Sequence, residues 1–229
     1  MNTIETIQQV LLRSGTSWIL WSLGGLSLAS LALIVERWLF YRARECDLPA
    51  LARMVGGHLA SGDRAAATVA LRRSRSLAGD IAAAGLELGD RGAAAADKAM
   101  QSAAALQRIA LERSLAYLGT LGNNAPFIGL FGTVVGVIGA FQALGHGETG
   151  PAGATTQVAS QVVMASIAEA LVATAVGILV ALPAVAAFNY FQRRVASLLS
   201  ATEGLTNLVL AYLLDTGASD EGRVPERAA

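Results

Sequence analysis

The chain of 229 residues is poor in cysteine and histidine, two residue types that build disulfides and metal sites. Cys46 is its single cysteine, so no disulfide can close within the chain, and no CxxC motif or Cys/His cluster predicts a bound metal. His58 and His146 are far apart in sequence, and we interpret them as ordinary solvent-facing residues. The 17 basic and 17 acidic side chains balance, which gives no indication of nucleic-acid binding. We therefore predict neither a metal nor any other cofactor.

Strand patterns are missing as well, since no segment alternates apolar and polar residues over the length of a strand. Hydrophobic residues make up 54% of the chain and the mean hydropathy is +0.51, which is high for a water-soluble domain. These apolar residues are clustered in three runs rather than spread along the chain. The sequence therefore predicts an all-α integral membrane protein with three transmembrane helices and long helical extensions on the cytoplasmic side.

The first apolar run, from Ser14 to Val35, contains no charged residue. A helix of ~20 apolar residues crosses the ~30 Å hydrocarbon core of a bilayer. Aromatic residues suited to the membrane interface lie at its two ends, Trp18 and Trp21 at one and Trp38, Phe40 and Tyr41 at the other. The run is too long for the core of a signal peptide and no basic segment precedes it. We predict a retained transmembrane helix 1 at 14–41, after a short periplasmic arm at 1–13.

A charged, alanine-rich segment follows at 42–113. Apolar residues at helical spacing, such as Leu51, Val55 and Leu59, predict short amphipathic helices there. Glycine-containing clusters predict the breaks between them, at Gly56-Gly57, at 61–63 and at 89–92. From about Ala93 the helical pattern is continuous with the next apolar run. We predict a cytoplasmic helical domain at 42–113 whose last helix extends out of the membrane.

The second apolar run lies within 114–145, and no Asp, Glu, Lys or Arg occurs between Ser114 and Gly147. We predict transmembrane helix 2 at roughly 123–144, with its cytoplasmic entry before it. Four glycines follow i, i+3, i+7, i+10 spacing along one helix face: Gly129, Gly132, Gly136 and Gly139. Such a face lets another membrane helix approach closely. The alternative, a glycine-rich loop, is disfavoured because Phe, Ile, Leu and Val surround these glycines without polar turn residues.

A short polar connection with Gly and Pro, at 146–161, precedes the third apolar run. We predict a periplasmic loop there and transmembrane helix 3 at 162–191. A cytoplasmic helical tail at 192–229 is predicted to continue to about Leu214. The small and charged residues from Asp215 onward predict a disordered end.

Basic residues indicate the orientation of these helices. They lie after helix 1, before helix 2 and after helix 3: Arg42, Arg44, Arg108, Arg113, Arg193 and Arg194. The segment 145–161 has no Lys or Arg, and the N-terminal arm has only Arg13. Because Lys and Arg are retained on the cytoplasmic side, we predict a periplasmic N-terminus and a cytoplasmic C-terminus.

Glu169 is the only Asp, Glu, Lys or Arg side chain inside the three apolar runs. A carboxylate in hydrocarbon is costly, so such residues usually face a bundle interior or a wet cavity and mark an ion or proton pathway. The alternative is that Glu169 lies near the outer interface, about seven residues into helix 3, and reaches water or a basic group there. We predict that Glu169 is the centre of the functional site.

Small and hydroxyl-bearing residues accompany Glu169. Ala165, Ala173 and Gly177 lie at four-residue steps from it and form a smooth stripe on the helix. Two threonines also lie at membrane depth, Thr133 in helix 2 and Thr174 in helix 3. Each hydroxyl could contribute to a polar path, or could instead satisfy a carbonyl of its own helix.

Two stretches of the chain resemble a known family. They are APFIGLFGTVVGVIGAF at 125–141 and IAEALVATAVGILVALPAVAAFNYF at 167–191, which are similar to the MotA/TolQ/ExbB proton-channel family, closest to ExbB and next to TolQ. The three spans, the long cytoplasmic segment and the short outer loop extend the resemblance over nearly the whole chain. Flagellar MotA is a poorer match because it has four spans and a larger cytoplasmic domain.

This resemblance implies a multi-pass protein of the bacterial inner membrane, surrounded by lipid and assembled as a ring homo-oligomer, a pentamer in characterised complexes. The ring would enclose two copies of a single-span partner of the ExbD or TolR type that carries the titrating aspartate. The resemblance also implies that Glu169, Thr133 and Thr174 belong to the proton pathway, and that Pro126 and Pro183 shape helix ends or kinks. The three apolar runs hold no aspartate, which agrees with a partner that supplies it.

The implied function is that of a stator subunit. With an ExbD-like partner it would use the proton-motive force to energise a TonB-type protein for transport across the outer membrane. A TolQ-like envelope-maintenance or motility stator is an alternative of the same class. A non-conducting membrane scaffold is an alternative of another class. An enzyme is disfavoured because no nucleophile–base pair or metal cluster is visible.

Overall fold

The computed structural model describes residues 17–146 and 154–221, and the chain divides into two compact units. We call residues 1–35 and 116–189 the membrane unit, and residues 36–115 and 190–229 the extension unit. The predicted arm at 1–13, the loop residues 147–153 and the C-terminal residues 222–229 lie outside the described residues.

Helices account for the regular structure of the described part of the chain. Their bounds are α1 Ser17–Ala43, α2 Leu48–Ala60, α3 Arg64–Arg73, α4 Leu77–Glu87, a 3₁₀ turn at Gly89–Arg91, α5 Ala93–Glu112, α6 Leu115–His146 and α7 Ala154–Glu221. Three helical stretches are long and apolar enough to cross a membrane, within Ser17–Ala60, Ala93–Gln142 and Ser160–Asp215. The predicted all-α membrane protein with three spans is confirmed.

The third span belongs to a longer helix than the sequence predicted. α7 begins at Ala154, inside the segment predicted as the loop 146–161, and continues without a break through Pro183. It ends at Glu221, so the prediction of disorder from Asp215 onward is wrong for 215–221. The apolar run, the basic residues after it and the tail all have helix-forming sequences, and therefore nothing ends the helix between them.

The short helices of the extension unit begin at side-chain caps. Asp47, Asp63 and Ser76 each accept a hydrogen bond from the backbone N–H three residues later, at 3.1, 2.8 and 3.0 Å. Such caps satisfy N–H groups that have no partner inside a helix. They explain why helices begin at Leu48, Arg64 and Leu77.

One predicted break is wrong and one helix boundary was missed. Gly56 and Gly57 lie inside α2, since Leu51, Val55 and Leu59 on its buried face hold the helix together across them. The predicted continuity from Ala93 into the second span is interrupted at residues 113–114, between α5 and α6.

The core of the extension unit centres on α4, which packs between α3 and α5. Its face from Leu77 to Leu86 is almost entirely buried, including Gly79 and Gly85. On the outside of this core, Arg72 donates to Glu87 over 2.6 Å. That hydrogen bond raises the pKa of the Arg72 guanidinium above its usual value, against a small opposing contribution from burial.

The core of the membrane unit is small and lies where α1, α6 and α7 meet. Its fully or nearly buried members come from all three helices: Ile19, Leu23, Ala125, Val135, Val180 and Ala181. Trp18 and Phe131 pack edge to face beside this core, with ring centroids 6.3 Å apart. Most other large apolar side chains of this unit are exposed, among them Leu28, Phe127 and Leu171 at 71, 66 and 63%. Such a surface suits lipid or the helices of another subunit.

Candidate functional site

α6 and α7 approach each other along a set of small residues that we call the seam. Its members are Gly129, Gly132 and Gly136 of α6 and Ala170, Ala173 and Gly177 of α7. A Cβ added to Gly129 would lie 2.8 Å from the carbonyl oxygen of Ala173, and one on Gly177 would lie 2.8 Å from that of Ala125. At these two positions backbone faces backbone, so no side chain can be accommodated.

Gly132 and Gly136 continue the seam along α6 in the direction of His146, and less buried residues lie beyond them. A Cβ on Gly132 would lie 2.7 Å from the Cβ of Ala173, and one on Gly136 would lie 2.5 Å from that of Ala170. Gly139, the fourth glycine of the predicted face, is half-buried, and Ala165 is exposed. The close contacts described therefore involve three of the four predicted glycines.

Thr174 lies within the seam and bonds across it. Its Oγ1 donates to the carbonyl oxygen of Gly129 over 3.0 Å, so the hydroxyl links α7 to α6 instead of bonding to a carbonyl of its own helix. Hydrogen bonds of this kind hold membrane helices together because no water competes for the acceptor.

Thr133 differs from Thr174 in its partner. Its Oγ1 donates to the carbonyl oxygen of Leu130, three residues earlier in the same helix, over 2.6 Å. This is the local bond that a threonine in a membrane helix commonly makes. The oxygen of the hydroxyl keeps free lone pairs, so Thr133 can still accept a hydrogen bond from a partner.

Glu169 lies at the edge of the seam, next to the buried Ala170, and is half-buried. Its Oε1 accepts a hydrogen bond from the hydroxyl of Ser17, at the start of α1, over 3.2 Å. With a rise of ~1.5 Å per residue, Glu169 lies ~10 Å from the midpoint of the apolar run 162–190. Ser17 adjoins Trp18, which is 43% exposed, as an interfacial aromatic residue would be. Glu169 therefore lies toward one end of the span and not at its midpoint.

The sequence did not identify Ser17 as a partner of Glu169. A pattern that could have found it is topological: in three alternating spans, the beginnings of the first and third lie on the same side. A hydroxyl at the start of α1 and a carboxyl early in the third span are then at similar depth.

Both predicted structural prolines lie inside helices. Pro126 is in α6 and Pro183 is in α7, and each helix continues on either side. Neither proline therefore marks a helix end, and the other expected role, a kink in each helix, stays a prediction. Because proline has no N–H, each leaves the carbonyl four residues earlier without its helical donor. These carbonyls belong to Gly122 and Leu179.

In the part of the chain that the structure describes, the site supplies one carboxylate and two hydroxyls but no chain of hydrogen bonds that joins them. Among the described residues, neither Thr133 nor Thr174 donates to Glu169, since both hydroxyls donate to backbone carbonyls. Water does not fit between α6 and α7 along the seam, because even an added Cβ would lie within 2.8 Å of an atom of the other helix. A continuous path for protons would have to include groups other than the described side chains of this unit.

The segment that contains these residues matches a known protein family. Residues 73–204, more than half of the chain, match the model of the MotA/TolQ/ExbB proton channel family. Thr133, Glu169 and Thr174 all lie within this match.

Several relatives are similar to part of the chain. The Tol-Pal system protein TolQ of Pseudomonas aeruginosa is 43% identical over 98 residues, which cover 42% of this chain and 38% of that protein. The biopolymer transport protein ExbB of Salmonella typhimurium is 41% identical over 120 residues, covering 51% of this chain and 46% of that protein. ExbB of Xanthomonas campestris pv. campestris is 38% identical over 97 residues, covering 42% and 35%. The chain thus aligns with less than half the length of each relative.

Proposed function

The chain belongs to the MotA/TolQ/ExbB proton channel family, and on this premise we propose that it is a stator subunit driven by the proton-motive force. With an ExbD-like partner it energises a TonB-type protein for transport across the outer membrane. The observation that carries the proposal is the position of Glu169. It is the one carboxylate of the three apolar runs and lies beside the seam. Its Oε1 accepts a hydrogen bond from the hydroxyl of Ser17 in another helix.

The role of Glu169 in this proposal is that of a wall residue. It adjusts the potential and hydration along a shared proton path, while the partner carries the proton. Two features support this division: the apolar runs contain no aspartate, and the threonine hydroxyls are engaged with carbonyls. Thr133 and Thr174 contribute polar surface to the same path.

The energy for the work comes from the membrane potential. One elementary charge that crosses 100 mV releases ~2.3 kcal/mol, and in this proposal several protons in one step drive a rotation between packed helix arrangements. A ring of copies, a pentamer in this proposal, would enclose two partner helices. The exposed apolar faces of α6 and α7 supply the surface for such a ring, for example at Phe127, Val134 and Leu171.

The orientation follows from the basic residues at the helix ends. Arg42, Arg113 and Arg193 adjoin ends that we place in the cytoplasm of an inner-membrane protein, with the start of α1 on the periplasmic side. Glu169 and Ser17 then lie toward the periplasm, where protons enter.

A second candidate function is a TolQ-like unit for envelope maintenance. It is favoured by the 43% identity with the TolQ protein of Pseudomonas aeruginosa, which is similar to the identity with the ExbB proteins. Co-expression with an ExbD or a TolR protein, followed by purification, distinguishes the two. Stable capture of the ExbD protein supports the first candidate, and capture of TolR alone supports the second.

Proton flux tests the role of Glu169. The chain and its captured partner are reconstituted in vesicles, and internal pH is followed after a potential is applied. We expect Glu169→Gln to reduce the partner-dependent flux strongly while the complex still assembles, because the wall of the path loses its carboxylate. Glu203→Gln, an exposed glutamate further along α7, is the matched control and should keep the flux. Full flux in Glu169→Gln would refute the assignment of Glu169 to the proton path, whereas no flux in the parent complex would favour the non-conducting scaffold.

A further inference from the structure

The extension unit contains a cavity of about 380 Å³ whose walls combine aromatic rings and charged side chains. α1 supplies Trp38, Tyr41, Arg42 and Glu45, and α7 supplies Tyr190 and Arg194. A volume of this size is in the range of small-molecule sites in proteins. The mixture of rings and arginines distinguishes it from an ordinary gap between helices.

The cavity lies at the level where both helices leave their apolar runs. Val35 is the last residue of the first run, and Trp38 follows it by less than one helical turn. Tyr190 lies at the end of the third run, and Arg194 follows it by about one turn. Trp38 and Tyr190 are 46 and 58% exposed, as expected for aromatic residues at the depth of lipid headgroups.

The charges of the cavity favour an anion. The Arg42 guanidinium stacks over the ring of Trp38 at 5.1 Å, and no carboxylate among the described residues forms an ion pair with it. Arg194 is paired with Glu45. Two arginines against one glutamate leave the cavity with one excess positive charge. A guanidinium that lies over a ring, without a carboxylate partner, keeps N–H groups available for a phosphate.

We propose that this cavity binds the phosphate headgroup of an anionic phospholipid. The headgroup phosphate accepts from Arg42 and competes with Glu45 for Arg194, while the aromatic rings contact the glycerol backbone. The acyl chains of the lipid would extend into the bilayer, since Trp38 and Tyr190 place the cavity at headgroup depth. A free phosphate would use the same arginines but would gain nothing from this depth. The proposal does not depend on proton conduction.

Native mass spectrometry of the full chain in a neutral detergent tests this inference. Phosphatidylglycerol and phosphatidylcholine are titrated separately, and the fraction of chain carrying one lipid is measured. We expect preferential retention of phosphatidylglycerol, and about fivefold weaker binding in Arg42→Gln. Arg193→Gln is the matched control, because Arg193 lies beside Arg194 but does not line the cavity. It should bind phosphatidylglycerol as the parent does.

A variant with the opposite expected effect separates binding from misfolding. Glu45→Gln removes the one acidic side chain of the cavity and releases Arg194, so it should bind phosphatidylglycerol several-fold more tightly. A damaged fold would not produce such a gain. Glycerol 1-phosphate is added as a soluble competitor, and it should not displace the lipid at equal concentration.

Four results would overturn the proposal. They are equal retention of both lipids, unchanged binding in Arg42→Gln, an equal loss in Arg193→Gln, and full displacement by glycerol 1-phosphate. An equal loss in Arg193→Gln would mean that the lipid responds to general surface charge. Full displacement would mean that the cavity takes a soluble phosphate instead of a lipid.

Discussion

The membrane unit and the extension unit are built from helices that are held together in different ways. In the membrane unit α6 and α7 meet backbone to backbone at Gly129 and Gly177, and a hydroxyl bond from Thr174 crosses the contact. In the extension unit, the three short helices α2, α3 and α4 begin at side-chain caps, and the unit buries Leu and Ile and carries ion pairs on the outside. The difference follows from the solvent: apolar side chains gain nothing by leaving lipid, whereas they gain much by leaving water.

The largest expected effect is at the backbone contact of the membrane unit. Gly129→Ala places a Cβ 2.8 Å from the carbonyl oxygen of Ala173 and 3.0 Å from the Cα of Thr174. Neither backbone atom can rotate away, so the helices must separate, and we expect a loss of about 2 kcal/mol in the free energy of unfolding. Unfolding in increasing mole fractions of SDS, followed by circular dichroism, measures this loss.

Two other glycines serve as controls for that substitution. Gly25→Ala lies in α1 of the same unit, with nothing within 4 Å of the added Cβ, and should be neutral or slightly stabilising. Gly85→Ala lies in the extension unit, where the added Cβ meets the side chain of Met100. Because methionine is flexible, this change should cost less than Gly129→Ala. Equal losses at Gly85 and Gly129 would contradict the proposed difference between the units.

A buried cap should have the next largest effect, in the extension unit. The Ser76 Oγ accepts from the N–H of Gly79 over 3.0 Å and lies 2.8 Å from the Ser74 Oγ. Ser76→Ala leaves that buried N–H unsatisfied, and we expect a loss of about 1 to 2 kcal/mol. Faster hydrogen exchange at the start of α4 would report it. Ser102→Ala, at an exposed position of α5, should leave exchange unchanged; similar exchange in both variants would argue against the cap.

A smaller effect is expected from the hydroxyl that crosses the seam. Thr174→Val removes the bond to Gly129 at nearly constant volume and should cost about 0.6 kcal/mol in SDS unfolding. Thr133→Val removes only a bond within α6 and should cost less. Equal destabilisation of the Thr133 and Thr174 variants would contradict a special contribution from the hydrogen bond between the helices.

The smallest expected effect is at the surface of the extension unit. Arg72 pairs with Glu87 over 2.6 Å, and both side chains are 49% exposed. Arg72→Gln should therefore cost no more than about 0.5 kcal/mol at low salt. Thermal unfolding in ~1 M salt should show no difference from the parent, because screening there acts over ~3 Å. A loss that persists in high salt would indicate a packing role for the Arg72 side chain.

Residues whose roles are local could be predicted from the sequence, and those whose partners are distant could not. The uncharged run at 14–35 and the glycines from Gly129 onward predicted spans and a close helix face, since length and residue size are local properties. The partner of Glu169 is Ser17, and that of Thr174 is Gly129, and both depend on helix register. Gly56-Gly57 was mistaken for a break because burial of neighbouring leucines outweighs the propensity of glycine.

The contact between Gly129 and Gly177 also determines how this chain can change by mutation. Every amino acid other than glycine carries a Cβ, so each possible replacement at either position meets backbone atoms at 2.8 to 3.2 Å. Gly24 and Gly25 meet nothing within 4 Å and are open to substitution. In a saturation mutational scan, the two seam glycines should therefore reject every substitution, whereas the two in α1 should accept many. Tolerance would then vary sharply among glycines of a single membrane unit.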